Sequence, residues 1–340
     1  MAHKNYLDLK AEVWETGTCS GCGACVAVCP ADALSFSEGE MVTAPTSCGY
    51  CKEATDSVSC GACYAACPRT GEQPDETLGA YLELVSAQAT YEIPRRQSGG
   101  AVTAILAHAL DEGLIDAVVT VTEDRFTLKH ASAIITKSDA LITTAGSRYS
   151  WWVPLLASLK TAVVDRKYQR IAVVGVPCAV QAIGRIRASD NDLLQPYAKA
   201  IRLVIGLFCT ESFDYTSLVT RKLRMEYNLE PFEIKKLDVK GKLEVERTNG
   251  TKASIPLAGI ESCIRPGCHY CTDFSSLAAD ISAGSVGSPA GMTTLIIRNT
   301  AGRAFIDAAV RAGKLRTKPG ADPAAIEKLA KAKQKKNQKK

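Results

Sequence analysis

The chain has 340 residues, 46% apolar and 23% charged, a balance that suits two or three packed domains and excludes an intrinsically disordered protein. The net charge of +5 is local: the seven Lys and one Glu of residues 324–340 carry +6 and leave residues 1–323 at −1, which excludes a basic nucleic-acid-binding body. The first eighteen residues hold no apolar core of a signal segment, and no later run is long and apolar enough to cross a bilayer, so the expectation is a cytoplasmic, non-spanning protein.

Nine of the fourteen cysteines lie between Cys19 and Cys67, and none lies between Cys67 and Cys178. That density marks a first domain, residues 1–78, closed by the loop PRTGEQPDET. The run Cys19-x2-Cys22-x2-Cys25-x3-Cys29-Pro30 has the spacing of bacterial ferredoxins, in which three thiolates hold one four-iron cluster and the fourth, next to proline, ligates another. A second run, Cys60-x2-Cys63-x3-Cys67-Pro68, keeps the end of the pattern but has Ser57 where its first cysteine is expected. Cys48 or Cys51 is left to supply that thiolate, with Cys51 preferred. The crossed rule then places Cys19, Cys22, Cys25 and Cys67 on one cluster and Cys29, Cys60, Cys63 and one of Cys48 or Cys51 on the other. A zinc ribbon also uses paired C-x2-C elements, yet it does not call for two C-x2-C-x3-C-P endings, and nine cysteines overfill two tetrahedral sites.

From Tyr81 the pattern is that of an α/β body, residues 79–318. YLELVSAQAT reads as a strand, AVTAILAHALDEG as a helix and IDAVVTV as a strand; Ser150 to Val164 reads as a helix, RIAVVGV as a buried strand, AVQAIGRIRA as a helix and IRLVIGLFC as another buried strand. Such alternation predicts a parallel or mixed sheet covered on both faces. Between Glu230 and Pro256 three short alternating strands, with turns at Lys240-Gly241 and Asn249-Gly250, predict a β-meander. Residues 319–340 read as a basic tail, a solvated helix end or an electrostatic contact for an acidic partner or membrane surface. The fold class is thus an α+β double ferredoxin domain followed by an α/β body with a small meander.

Three places in the body end in cysteine where sites collect in open α/β sheets. Cys178 follows the strand RIAVVGV at a helix start, where the macrodipole favours a thiolate; Cys209 ends the next strand; and Cys268-x2-Cys271 offers two more thiols, with Cys263 nearby. Each alone reads equally as a buried, inert cysteine. Together they make a third four-thiol set, leaving Cys263 and one of the Cys48/Cys51 pair as spares. His269, between two of them, reads as a metal ligand or as a nearby exposed side chain. No G-x-G-x-x-G or G-x-x-x-x-G-K-[ST] motif is present, but QSGG (97–100) and AGSRY (145–149) precede expected helix starts and AGSVGSPAG (283–291) is a small-residue loop. Each is also an ordinary cap or turn.

GVPCAVQAIGRI, GLFCTESFDYTSL and GCHYCTDFSSLAADISAGSVGSPAG resemble the characteristic segments of the coenzyme F420-reducing hydrogenase beta-subunit family, and QSGGAVTAILAHALDEGLID and AGSRYSWW resemble its flavin-site segments. The resemblance spans about residues 80–318. It implies a non-Rossmann FAD site, a neighbouring pocket for the 8-hydroxy-5-deazaflavin, coenzyme F420, and a four-iron cluster on Cys178, Cys209, Cys268 and Cys271. Flavin contacts are then expected at Ser98, Gly99, Gly100, Thr103, Gly146, Ser147, Arg148, Tyr149, Ser285, Val286, Gly287 and Ser288. With the N-terminal ferredoxin, the nearest architecture is the input subunit of archaeal F420H2 dehydrogenase. The implied activity takes a hydride from reduced F420 onto FAD and passes single electrons through three four-iron clusters, with no side chain acting as nucleophile. Its implied partner is a redox protein, a membrane-bound respiratory complex or soluble ferredoxin, with at most peripheral membrane contact. The alternatives are the beta subunit of an F420-linked formate dehydrogenase or hydrogenase, and a pure electron-relay protein.

Overall fold

The computed structural model describes residues 4–37 and 44–337. In chain order the body's strands are β1 (Glu83–Ala89), β2 (Ala117–Glu123), β3 (His130–Ile135), β4 (Ile171–Gly175) and β5 (Ile201–Leu207). The meander follows as β6 (Ile234–Val239), β7 (Lys242–Arg247) and β8 (Lys252–Pro256), and β9 (Ile281–Gly284), β10 (Thr293–Ile297) and β11 (Leu315–Pro319) return to the main sheet. That sheet has eight strands in the order β11-β1-β10-β9-β5-β4-β2-β3. The inner four, β9, β5, β4 and β2, are parallel, and the strands flanking them pair antiparallel.

Strand β4 is buried along its whole length, which its unbroken Ile/Ala/Val run requires when both faces are covered. Its side chains alternate between two cores. Ala172 and Val174 face helices α3 (Ala101–Asp111) and α5 (Thr300–Arg311), through Ala104, Ile105, Phe305 and Ile306. Ile171 and Val173 face helix α4 (Pro177–Ala188), through Ala179, Ile183 and Ile186.

The second core is shared with the cysteine-rich domain. Two short helices there, α1 (Ala24–Ala27) and α2 (Ala62–Ala66), each follow a glycine held at positive φ, Gly23 at 85° and Gly61 at 60°, where a side chain would be strained. Their buried alanines, Ala24, Ala27, Ala62 and Ala66, pack with Leu156, Leu159, Ile183 and Tyr197 of the body. The expected units 1–78 and 79–318 therefore meet in one apolar core. Body donors also reach carbonyls of the cysteine loops: Trp151 Nε1 to Gly21 (3.0 Å), Lys160 Nζ to Cys29 (2.8 Å), Tyr197 hydroxyl to Ala27 (2.8 Å), Arg185 Nε to Ala65 (3.0 Å) and Asn191 Nδ2 to Cys60 (2.5 Å).

Two expectations change. Residues 150–164 are not one helix: Ser150–Trp151 pairs as a two-residue strand with Phe213–Asp214, a 3-10 turn covers Leu155–Ser158, and a wide helical turn covers Thr161–Asp165. Pro154 is the cause, since it lacks an amide and disfavours helical backbone at Val153. Residues 323–337 are not a solvated tail either. Helix α6 (Pro323–Asn337) lies on the body with Ile326, Ala330, Lys333, Gln334 and Asn337 buried; Lys339 and Lys340 lie outside the described residues. Among the described residues no helix is long and apolar enough to cross a membrane.

Candidate cofactor cavity and thiol sets

A cavity of about 410 Å3 opens at the carboxyl ends of the parallel strands. The ends of β4 (Gly175 to Cys178), β5 (Leu207 to Ser212) and β9 (Ala283 to Val286) form its floor, and Val102, Leu106, Phe208 and Phe274 make part of its wall apolar. Of the expected flavin contacts, Ser98, Gly100, Thr103, Gly146, Ser147, Arg148, Tyr149, Ser285 and Val286 line it. Gly99, Gly287 and Ser288 are not among the lining residues. A Cβ on Gly99 would stand 2.3 Å from the Ala87 carbonyl oxygen, so this glycine lets the turn pass against β1. Ser288 is bound in a hydroxyl chain with Ser86 (2.7 Å) and Thr294 (2.6 Å).

Helix α3 starts from Gly100 in the left-handed region with no side-chain cap, leaving the amides of its first turn facing a ligand-sized space. AGSRY opens no helix and leads into the short strand at Ser150, so its contribution is the side chain of Arg148. That guanidinium donates to the carbonyls of Gly146 (2.6 Å) and Thr144 (2.5 Å), while its Nε is buried with no partner. Gln97 donates through Nε2 to the Tyr149 hydroxyl (3.2 Å) and leaves its Oε1 buried and unpaired. Buried polar atoms are normally satisfied, so an orphaned donor and acceptor on one cavity wall fit a polar, multiply hydrogen-bonding ligand such as FAD. Burial is the main reason the Tyr149 phenol titrates above its usual value, with Asp238 adding to it.

The cysteines, none in a disulfide, fall into three sets. Cys25 lies in the field of Cys67, Cys22 and Cys19. Cys60 and Cys63 share Cys29 and Cys51 as neighbours, whereas Cys48 is exposed, so the structure brings Cys51 and not Cys48 to this set. Cys178 and Cys209 both have Cys268 and Cys271 as neighbours. Burial pushes the Cys19 thiol up to about 11, against the Gly21 amide that donates to its sulfur at 3.4 Å. Burial likewise pushes Cys67 and Cys178 up to about 12. Four such thiols gathered together hold charge only around a compensating cation, so loading releases protons. Among the described residues, no three His, Cys, Asp or Glu groups converge closely enough to hold a single metal ion.

Cys263 stands apart in a separate core with Leu218, Leu223 and Ile260, its nearest charged groups being Lys222, Asp214 and Glu226. Four residues not expected at the site surround the body set. Lys333 donates to the carbonyls of Cys209 (2.8 Å) and Asp273 (2.6 Å), and Asn337 to those of Cys268 (3.0 Å) and Cys271 (2.6 Å). Arg69 reaches the Gly267 carbonyl (3.0 Å) and Arg265 the Ser20 carbonyl (2.6 Å).

A family model for the C terminus of the coenzyme F420 hydrogenase/dehydrogenase beta subunit matches residues 168–323, the model for its N-terminal part matches 84–160, and a 4Fe-4S binding domain matches 12–35. The coenzyme F420 hydrogenase beta subunit of Methanosarcina barkeri is 34% identical over 78% of this chain and 92% of its own. The chain belongs to this F420 hydrogenase/dehydrogenase beta-subunit family. It is an oxidoreductase of that type, carrying an iron–sulfur region at its N-terminus. An uncharacterized protein of Methanocaldococcus jannaschii is 43% identical to this family member over 98% of both chains. A chain in the solved F420-reducing [NiFe] hydrogenase complex of M. barkeri superposes with a TM-score of 0.73 at 33% identity, over 79% of this chain and 94% of that one.

Proposed function

We propose that the chain is the F420-binding, beta-type subunit of an F420-linked hydrogenase or dehydrogenase complex, holding FAD in the cavity and three four-iron clusters on its thiol sets. The observation that carries this is continuity: Cys178, Cys209, Cys268, Cys271 and Cys22 all line the cavity that receives the start of α3 and Arg148. FAD, when bound, supplies the exchange between hydride chemistry of a deazaflavin and single electrons. The remaining work belongs to the chain. The first-turn amides of α3 and the unpaired groups of Arg148 and Gln97 bind and orient the flavin, and Val102, Leu106 and Phe208 exclude water from the transfer face.

The order of the sets follows from their neighbours. Cys178 of the body set lies in the field of Cys22, and Cys25 in that of Cys63, so the path runs from cavity to body set, to the Cys19 set, to the Cys29 set. Cys60 is much less deeply buried than Cys178, Cys209 and Cys268, which makes the last set the exit toward a partner subunit. The hydrogenase beta-subunit likeness supports this reading, because that relative and the solved complex match over most of their length.

Anaerobically purified chain is expected to hold about twelve iron atoms with matching acid-labile sulfide, together with one flavin, and to bleach a dye with reduced F420. Zinc without sulfide would overturn the cluster assignment. Full iron with neither flavin nor F420-dependent bleaching would leave a pure relay protein. The Cys51 assignment has its own check: Cys51→Ser should lose about four iron atoms per chain, and Cys48→Ser should lose none. Equal loss in both, or loss in Cys48→Ser alone, rules it out.

A further inference from the structure

Arg69 stands in the seam between two thiol sets. Its Nε donates to the Thr18 carbonyl (3.2 Å), next to Cys19, and its Nη2 to the Gly267 carbonyl (3.0 Å), next to Cys268. Its charge acts on Cys19 and Cys67 on one side, and on Cys178, Cys268 and Cys271 on the other. Lys333, inside the body on α6, donates to the Cys209 carbonyl (2.8 Å) and acts on Cys209, Cys268 and Cys271 of the body set. The third set has a cation and an anion of its own: Lys160 Nζ donates to the Cys29 carbonyl (2.8 Å), and the carboxylate of Glu53 accepts the Gly61 amide at 2.8 Å, next to Cys60, so neither Arg69 nor Lys333 is its counter-charge.

We propose that Arg69 is a positioning residue for electrons, a counter-charge shared by the body set and the Cys19 set that holds both at a higher reduction potential, while Lys333 does the same for the body set alone. The physical reason is charge balance. One-electron reduction of a four-iron cluster adds one negative charge and takes up no proton, so a fixed cation in a poorly screened interior favours the reduced form. Sharing one guanidinium shifts both potentials in the same direction. The inference rests on the three-cluster reading above.

The test is an anaerobic redox titration of the full-length holoprotein followed by electron paramagnetic resonance, after iron and sulfide have been counted. Arg69→Gln is expected to shift two of the three midpoints to more negative values and leave the third in place. Arg69→Lys, which keeps the charge and loses the forked hydrogen bonds, should return both toward the parent. Lys333→Gln should lower one of the same two midpoints, and Lys333→Arg should restore it. Equal shifts in Arg69→Gln and Arg69→Lys would make the residue merely structural, and no shift, or a shift of all three, would also overturn the proposal. If Arg69→Gln fails to assemble, the Lys333 pair decides: an unmoved Lys333→Gln overturns the counter-charge principle and a single lowered midpoint supports it. A parent without clusters defeats the cluster reading as well, whereas a parent with three clusters and unmoved variants defeats this proposal alone.

Discussion

Ending the chain at Ile326 is expected to strip the body set of its iron, about a third of the total, while the two N-terminal sets stay loaded. A lysine-rich end reads from composition as dispensable, yet α6 closes over the loop that carries Cys268 and Cys271. Truncation removes Ala330 from the small core of Leu78, Phe274 and Ile296, and it removes the donors to four carbonyls, those of Cys209, Asp273, Cys268 and Cys271. A buried acceptor left unpaired costs about 1–3 kcal/mol, so losing several at one loop outweighs what the loop contributes by itself. The measurement is iron and sulfide per chain, with flavin content and F420-dependent dye bleaching on the same sample. Bleaching should fall at least tenfold. A truncated chain with full iron and parental bleaching would show that the helix is an appendage.

Gly267→Ala is expected to open the joint between the two halves of the molecule. A Cβ there would lie 2.0 Å from the Cys19 carbonyl oxygen and 2.6 Å from its carbonyl carbon. Both partners are backbone in thiol-bearing loops, and Arg69 ties the Gly267 carbonyl to Thr18 across the same gap, so no flexible side chain can absorb the overlap. Overpacking of this kind costs about 1–3 kcal/mol and more where backbone must move. The variant should melt several degrees lower under anaerobic conditions, and the reduced flavin should pass electrons to the N-terminal clusters more slowly. Gly259→Ala is the control, since its nearest neighbour would be 3.6 Å away. If both variants melt and transfer like the parent, the close approach is not a constraint.

What the sequence made legible was local. Cluster spacing is short-range geometry, so Cys19 through Cys29 announce their chemistry without reference to the fold. β4 is buried on both faces, so its apolar run is unbroken, and β5 is buried from Leu203 to Gly206. The misreadings have two causes, Pro154 and tertiary contact. Pro154 disfavours helical backbone at Val153, and the Trp151 indole donates to the Gly21 carbonyl and stacks under the Arg265 guanidinium at 4.1 Å, which holds the strand conformation. Helix α6 has its buried stripe at Ile326, Ala330, Lys333 and Asn337, a helical spacing whose second half is polar because it caps carbonyls instead of filling a core. Arg69 lies in a segment that reads as a linker, and its partner at Gly267 is 198 residues away.

The seat of the cysteine-rich domain on the body is written largely in main-chain atoms. Trp151, Lys160, Arg185, Asn191 and Tyr197 all grip carbonyl oxygens of that domain, and most of its apolar contact is made by alanines, with Cys22 and Val28. Recognition of this kind reads loop length and path and is nearly blind to residue type. The domain's surface is thus free to drift under selection by successive electron partners without matching changes in the body. A single insertion between Cys25 and Cys29, by contrast, would move the gripped carbonyls out of reach, so evolutionary tolerance here should divide sharply between substitution and changes in length.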